Sequence, residues 1–159
     1  MKYRRLTNEE LAELETEFVR FLVSNTVTGD DWEKTKKDDP AKAEGLIEIF
    51  SDIVFDKTIS KIEYLELKTP KDLKIFRCNK ENIELMGLKV EGESDLDFTH
   101  EITPEEMMEK LQTSDAKLQM YSANKKYKSN REEEIFQMMQ WGSLISNGKL
   151  FHLFRTLKK

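Results

Sequence analysis

Ile62-Glu63-Tyr64-Leu65-Glu66-Leu67-Lys68-Thr69-Pro70-Lys71-Asp72-Leu73-Lys74-Ile75-Phe76-Arg77-Cys78-Asn79-Lys80-Glu81-Asn82-Ile83-Glu84-Leu85-Met86-Gly87-Leu88-Lys89-Val90 reads as three strands and two turns. The apolar residues of Ile62–Leu67, Leu73–Cys78 and Ile83–Val90 recur with the short period of a pleated strand, most clearly at Leu88, Lys89 and Val90. Thr69-Pro70-Lys71-Asp72 and Asn79-Lys80-Glu81-Asn82 carry turn-forming residues. Links this short favour antiparallel neighbours, so a three-stranded meander is expected, with its apolar face covered by helices.

Before this stretch the period changes to that of a helix. Thr7 can cap a helix running to Ser24, with Glu10 placed for a capping box and Leu11, Leu14, Phe18, Phe21 and Leu22 forming one stripe. Asp30 and Asp31 suit the first turn of a short helix through Lys37. Asp39-Pro40 opens a third helix, to about Lys57. Leu46, Ile47, Phe50, Ile53 and Val54 line one face of it, and Ile49 and Phe55 lie off that face, which makes it the expected central core helix, buried on more than one side.

Beyond the strands, Thr103-Pro104-Glu105-Glu106 is a further helix start. Leu118 to Ser122 is a candidate fourth strand. Ser129 or Asn130 can cap a helix opening with Glu132, Glu133 and Glu134 and continuing to Asn147-Gly148, after which Leu150 to Leu157 form a last amphipathic turn or two. The expected class is α+β: a helical N-terminal half, a small antiparallel three- to four-stranded meander and C-terminal helices, in a single domain spanning 1–159. A chain of 159 residues fits one domain and can bury a core without a disulfide or metal staple.

Apolar residues make up 38% of the chain and charged residues 36%, with a net charge of −5. The negative sum disfavours indiscriminate nucleic-acid binding. The charges are also unevenly placed. From Glu91 to Glu109 there are eight acidic residues and no Lys or Arg, whereas from Lys117 to Arg131 there are five basic residues and no acid. No apolar run approaches the ~20 residues of a membrane helix, and the basic start at Lys2 is followed by acidic residues rather than the apolar core of a signal peptide. The single cysteine, Cys78, cannot form an internal disulfide, which fits a reducing compartment. A cytoplasmic protein is expected.

Lys125, Lys126, Tyr127, Lys128 and Arg131 cluster just before a predicted helix N-terminus, where free N–H groups and the helix dipole favour anions and a tyrosine can stack on a base. A phosphate, nucleotide or RNA strand is the ligand this loop would take; a solvated loop neutralised by Glu132 to Glu134 is the plainer reading. Glu91, Glu93, Asp95 and Asp97 alternate and would share one face of an extended chain, as a hard-cation site needs. They lack the glycine of an EF-hand loop; a charged connection guarding a sheet edge is the plainer reading, and a patch that attracts a basic partner, or the basic patch of another copy, comes before a metal site. His100 lies near Asp97 and Glu101 and is the one candidate general acid or base; His152 has no partner at a meaningful spacing. Cys78 reads as an inert thiol, because alternation puts Arg77 on the opposite face. Phosphate-loop, dinucleotide, nucleophile-elbow and zinc-protease motifs are absent, so no cofactor and no metal is implied. Met107, Met108, Met120, Met138 and Met139 sit in the C-terminal half near Trp141, Leu144, Phe151 and Phe154, which together can form an apolar patch for a partner or a second copy.

Lys2-Tyr3-Arg4-Arg5-Leu6-Thr7, the Phe18…Phe21-Leu22 stripe, Asp31-Trp32, Phe50-Ser51-Asp52, Lys126-Tyr127, Ser129…Arg131-Glu132-Glu133-Glu134-Ile135-Phe136 and Asn147-Gly148-Lys149-Leu150-Phe151 resemble a family of small bacterial proteins known only as a domain of unknown function. The resemblance implies a bacterial cytoplasmic origin and carries no site. The residues themselves point first to a non-enzymatic protein-binding or regulatory module, partnered by another protein or by a second copy in a homodimer. Anion or nucleic-acid binding through the basic loop is the alternative, and an enzyme using His100 the second alternative.

Overall fold

The computed structural model describes residues 1–92, 96–113 and 117–157. It divides by internal contacts into Met1–Ser60 and Lys61–Lys159.

The first unit is helical: α1 (Asn8–Glu13), α2 (Glu15–Ser24), α3 (Gly29–Asp38) and α4 (Pro40–Ser60). Thr7 caps α1 through the Glu10 N–H, and Glu10 returns the bond to the Thr7 N–H, completing the expected capping box. The single helix expected from Thr7 to Ser24 is broken at Leu14, whose backbone leaves the helical region (φ −104°, ψ 24°). A second capping box, Thr28 with Asp31, starts α3 three residues after the Asn25-Thr26 turn. Phe18, Leu22, Ile47 and Phe50 form the core with Leu6, and Trp32 meets Phe18 edge-on at 5.2 Å. The expectation that α4 is buried on more than one side is corrected: Ile49 is 55% and Ile53 49% exposed.

The segment before α1 is strapped along α4. Asp52 accepts the backbone N–H groups of Lys2 and Tyr3 at 2.8 and 3.1 Å. The Tyr3 hydroxyl donates to Asp56 at 2.5 Å, and Arg5 pairs with Glu44. The buried Ser51 hydroxyl accepts the Leu6 N–H at 2.9 Å and donates to the Ile47 carbonyl at 2.7 Å. Lys2-Tyr3-Arg4-Arg5-Leu6 and Phe50-Ser51-Asp52 thus form one structural device. Burial pushes the Tyr3 hydroxyl up to about 12, helped by the bond to Asp56.

The second unit is built on a five-stranded antiparallel sheet: β1 (Tyr64–Thr69), β2 (Asp72–Cys78), β3 (Asn82–Glu91), β4 (Lys117–Lys126) and β5 (Leu144–Ser146), in the order β4-β3-β2-β1-β5. The expected meander is its centre, and the expected α+β class holds. Two strands depart from expectation. β4 runs on to Lys126 rather than stopping at Ser122. The helix expected to reach Asn147 is α6 (Arg131–Gln140); it ends at Trp141, and Leu144–Ser146 pair with β1 as a fifth strand.

One face of the sheet carries Leu73, Ile75, Met86, Leu88 and Val90. With Met107 of α5 (Pro104–Thr113) and Leu150, Phe151 and Phe154 of α7 (Lys149–Leu157) they make the main core. Phe151 and Phe154 are 2% and 0% exposed, so they belong to this core and not to a surface patch. Two glycines admit tyrosines where a side chain cannot go. A methyl on Gly87 would strike the ring of Tyr121, which crosses from β4, and a methyl on Gly148 would strike the ring of Tyr64. Gly148 also sits at φ +79°, a region that L side chains rarely adopt. No helix among the described residues is long and apolar enough to cross a membrane.

Candidate functional site

The five residues of the basic segment are not brought together as one anion site. Lys125 and Lys126 are the last residues of β4, not part of a loop. Lys125 pairs with Glu134 of α6. The Tyr127 hydroxyl donates to the Asn79 carbonyl at 2.7 Å, and burial raises it to about 12. The Arg131 guanidinium donates to the carbonyls of Asn79 (3.2 Å), Cys78 (3.3 Å) and Ile62, tying the end of β2 to the segment that enters β1. Three of the five are therefore committed to internal partners, and Lys126 and Lys128 are left exposed. Asn130 caps α6 through the Glu133 N–H.

The other candidates are dispersed. In the acidic segment, Glu91 pairs with Lys117 at 3.5 Å. Asp97 accepts the Thr99 N–H and hydroxyl at 2.9 and 2.5 Å, which holds its carboxyl below the usual range. Glu93 and Asp95 lie outside the described residues. Among the described residues no group of three or more His, Cys, Asp or Glu is placed to hold a metal. His100 is 76% exposed, 3.8 Å from Asp97. His152 is exposed and meets the Tyr64 hydroxyl at 3.1 Å. Cys78 is buried; burial pushes its thiol up to about 11, against the opposing pull of the Arg131 charge.

What the structure does assemble is a free sheet edge. β5 closes one side of the sheet, and the register fixes which way its backbone points. The Cys78 N–H donates to the Glu63 carbonyl at 2.7 Å, one step outside the Tyr64↔Arg77 pair. Antiparallel strands alternate the direction of their N–H and C=O groups residue by residue. Glu63 and Leu65 therefore point to β2, and Tyr64 and Glu66 point to Ser146 and Leu144 of β5. Ile145, opposite Leu65, is left with its N–H and C=O directed away from the sheet.

The side chains around this backbone pair are apolar and open: Trp141 is 75%, Leu144 63% and Ile145 57% exposed. From Ile135 to Gly148 there is no charged residue. α6 ends just before, with the Gly142 and Ser143 N–H groups closing its last turn on Met139 and Met138. Gly148 leads into α7 just after. The short strand is thus held between two helix ends.

A cavity of about 480 Å³ adjoins β5. Glu66 and Lys68 of β1, paired at 3.5 Å and largely buried, lie against it, with Glu101, Glu106 and Lys149. Its lining contains no histidine or cysteine. It has charges of both signs and no nucleophilic thiol or imidazole.

Of the residues that make this edge, the sequence points to Trp141 and Leu144 as an apolar patch. Ile145 goes unsignalled, because a three-residue strand is too short to show a period. Comparison with known proteins adds a family and no chemistry: a family of unknown function, DUF6495, matches residues 1–159. No curated protein matches, and no solved structure does.

Proposed function

The chain belongs to DUF6495, a family of unknown function, and we propose from its geometry that it is a non-enzymatic protein-binding module that docks through the β5 edge. The supporting observation is the coincidence, within five residues, of an outward-facing backbone pair at Ile145 and the exposed Trp141, Leu144 and Ile145 side chains. An exposed edge strand is a template for another strand. Natural sheets blunt such edges with charge or by keeping them short; this one is short and carries no charge. Tryptophan is also the residue type most enriched where binding energy concentrates.

The test is site-specific photocrosslinking in the cell of origin, with a photoreactive amino acid at position 141 and, as control, at position 126 on the opposite edge. A discrete adduct from position 141, lost when Ile145→Pro removes the outward N–H, is expected. Equal, diffuse labelling from both positions would sink the reading.

A further inference from the structure

We propose that the cavity beside β1 binds a small zwitterion, a free α-amino acid, with Glu66 taking its ammonium group and Lys68 its carboxylate. This goes beyond docking at the β5 edge and does not depend on it.

The position of the two charges carries the proposal. Side chains alternate along β1, so Glu66 and Lys68 share a face with Tyr64, a member of the main core. Their cross-strand neighbours on that face are Ile75 and Leu73, which are 0% and 1% exposed. Two charges therefore stand where the apolar face of the sheet would otherwise continue. Their side chains are only 16% and 18% exposed.

Removing charges from water is costly unless close contacts and further hydrogen bonds offset it. Glu66 and Lys68 lack both. They stand 3.5 Å apart, longer than the roughly 2.7–2.9 Å of a close charge-assisted bond. Neither side chain has another polar partner among the described residues. Their unused hydrogen-bonding capacity adjoins the cavity, and breaches of the core pattern of this kind belong to functional sites.

The rest of the lining sets the class of ligand. The cavity, about 480 Å³, has the size of a small-molecule site. Eight of its twelve lining residues are polar or charged, which is wrong for an apolar ligand. Glu106 is committed to the start of α5: it accepts the Thr103 N–H at 3.5 Å, and its own N–H donates to the Thr103 hydroxyl at 3.1 Å. That leaves Glu66 and Glu101 against Lys68 and Lys149. Two charges of each sign disfavour a plain anion and a plain cation alike, whereas a ligand with one of each meets both. An α-amino acid carries its two charges on either side of a single carbon, a separation suited to protein charges 3.5 Å apart.

The test is a titration of the full chain with each common free amino acid, followed through the amide NMR signals of Thr103, Asn147 and Leu150. At least one amino acid is expected to give saturable shifts with Kd below about 1 mM. Its N-acetyl and methyl ester derivatives, each lacking one charge, are expected to bind about tenfold more weakly or worse. The double variant Glu66→Met, Lys68→Met removes the charges and keeps the bulk. It is expected to melt at an unchanged or higher temperature and to lose the shifts. Lys149→Ala, at an exposed position, is expected to weaken binding without changing the melting temperature. No saturable shift from any amino acid at about 10 mM, equal binding of the blocked derivatives, or shifts that survive the double variant would each overturn the proposal.

Discussion

The two edges of the sheet differ in nearly every respect. β4 is ten residues long, mostly exposed, and bears Lys117, Lys125 and Lys126. β5 is three residues long, uncharged and apolar. Long edges invite pairing unless charge or polarity prevents it, and β4 has both. The β5 edge is short instead of charged, and a short edge suits limited, specific pairing. Both are fastened by the same device, a tyrosine ring against a glycine. Tyr121 of β4 lies on Gly87 of β3, its hydroxyl donating to Asp72 at 2.5 Å beside Lys74, and Gly148 after β5 lies on Tyr64 of β1.

The largest expected effect breaks the β5 side of this comparison. Gly148→Ala forces a side chain into both the positive φ and the Tyr64 ring, and is expected to cost about 3 kcal/mol in chemical denaturation. Ser51→Ala in the first unit leaves the buried Leu6 N–H unpaired, at about 1–3 kcal/mol. If the chain is the single domain its length suggests, both substitutions shift one common unfolding transition; two separable transitions would refute that expectation.

Gly87→Ala breaks the β4 side. The expected loss is smaller, about 1–2 kcal/mol, because the Tyr121 ring is only partly buried and its far end can swing outward. Tyr121→Phe, which removes only the bond to Asp72, is expected to cost about 1 kcal/mol.

Exchanging the edges' surface chemistry sharpens the contrast. Lys126→Ile and Ile145→Lys are each expected to change stability by less than about 0.5 kcal/mol. They should move solubility in opposite directions, the first toward aggregation and the second away from it, as measured by light scattering across protein concentration.

The remaining contrast is in the response to pH. The Tyr3, Cys78 and Tyr127 groups stand at about 12, 11 and 12, above their ordinary values of 10, 9 and 10. The stability they contribute is present below pH 9 and is lost as pH rises through 9 to 12. Glu10 stands at about 2, held below its ordinary 4.5 first by Arg4 and then by the Thr7 N–H. Its contribution is present above pH 4.5 and lost as pH falls toward 2, and solvent screening keeps it small, because the side chain is 35% exposed. Melting temperature against pH should therefore fall more on the alkaline flank than Glu10 alone makes it fall on the acid one.

Sequence reading reached most of the fold because most elements announce themselves by caps and period. Thr7 with Glu10, Asp39-Pro40, Thr103-Pro104-Glu106 and Asn130 each mark a helix start, and Leu73, Ile75, Met86, Leu88 and Val90 carry the strand alternation. It missed what has no period. The break at Leu14 falls inside an unbroken apolar stripe. Polar Ser122, Asn124 and Lys126 hide the second half of β4, since an edge strand exposed on both faces need not alternate. The break at Trp141-Gly142-Ser143 that frees Leu144–Ser146 for the sheet was concealed by the apolar residues on either side of it. The basic cluster misled for another reason: Arg131 and Tyr127 look like ligand-binding groups in one dimension, and only three dimensions reveal the Asn79, Cys78 and Ile62 carbonyls that occupy them.

The strap of residues 2–6 has a consequence for synthesis. Its anchors on α4 lie 39 to 54 positions later in the chain. Residues 2–6 must wait, unseated, until Asp56 has left the ribosome, and the slow step in completing the helical unit is then their return to α4.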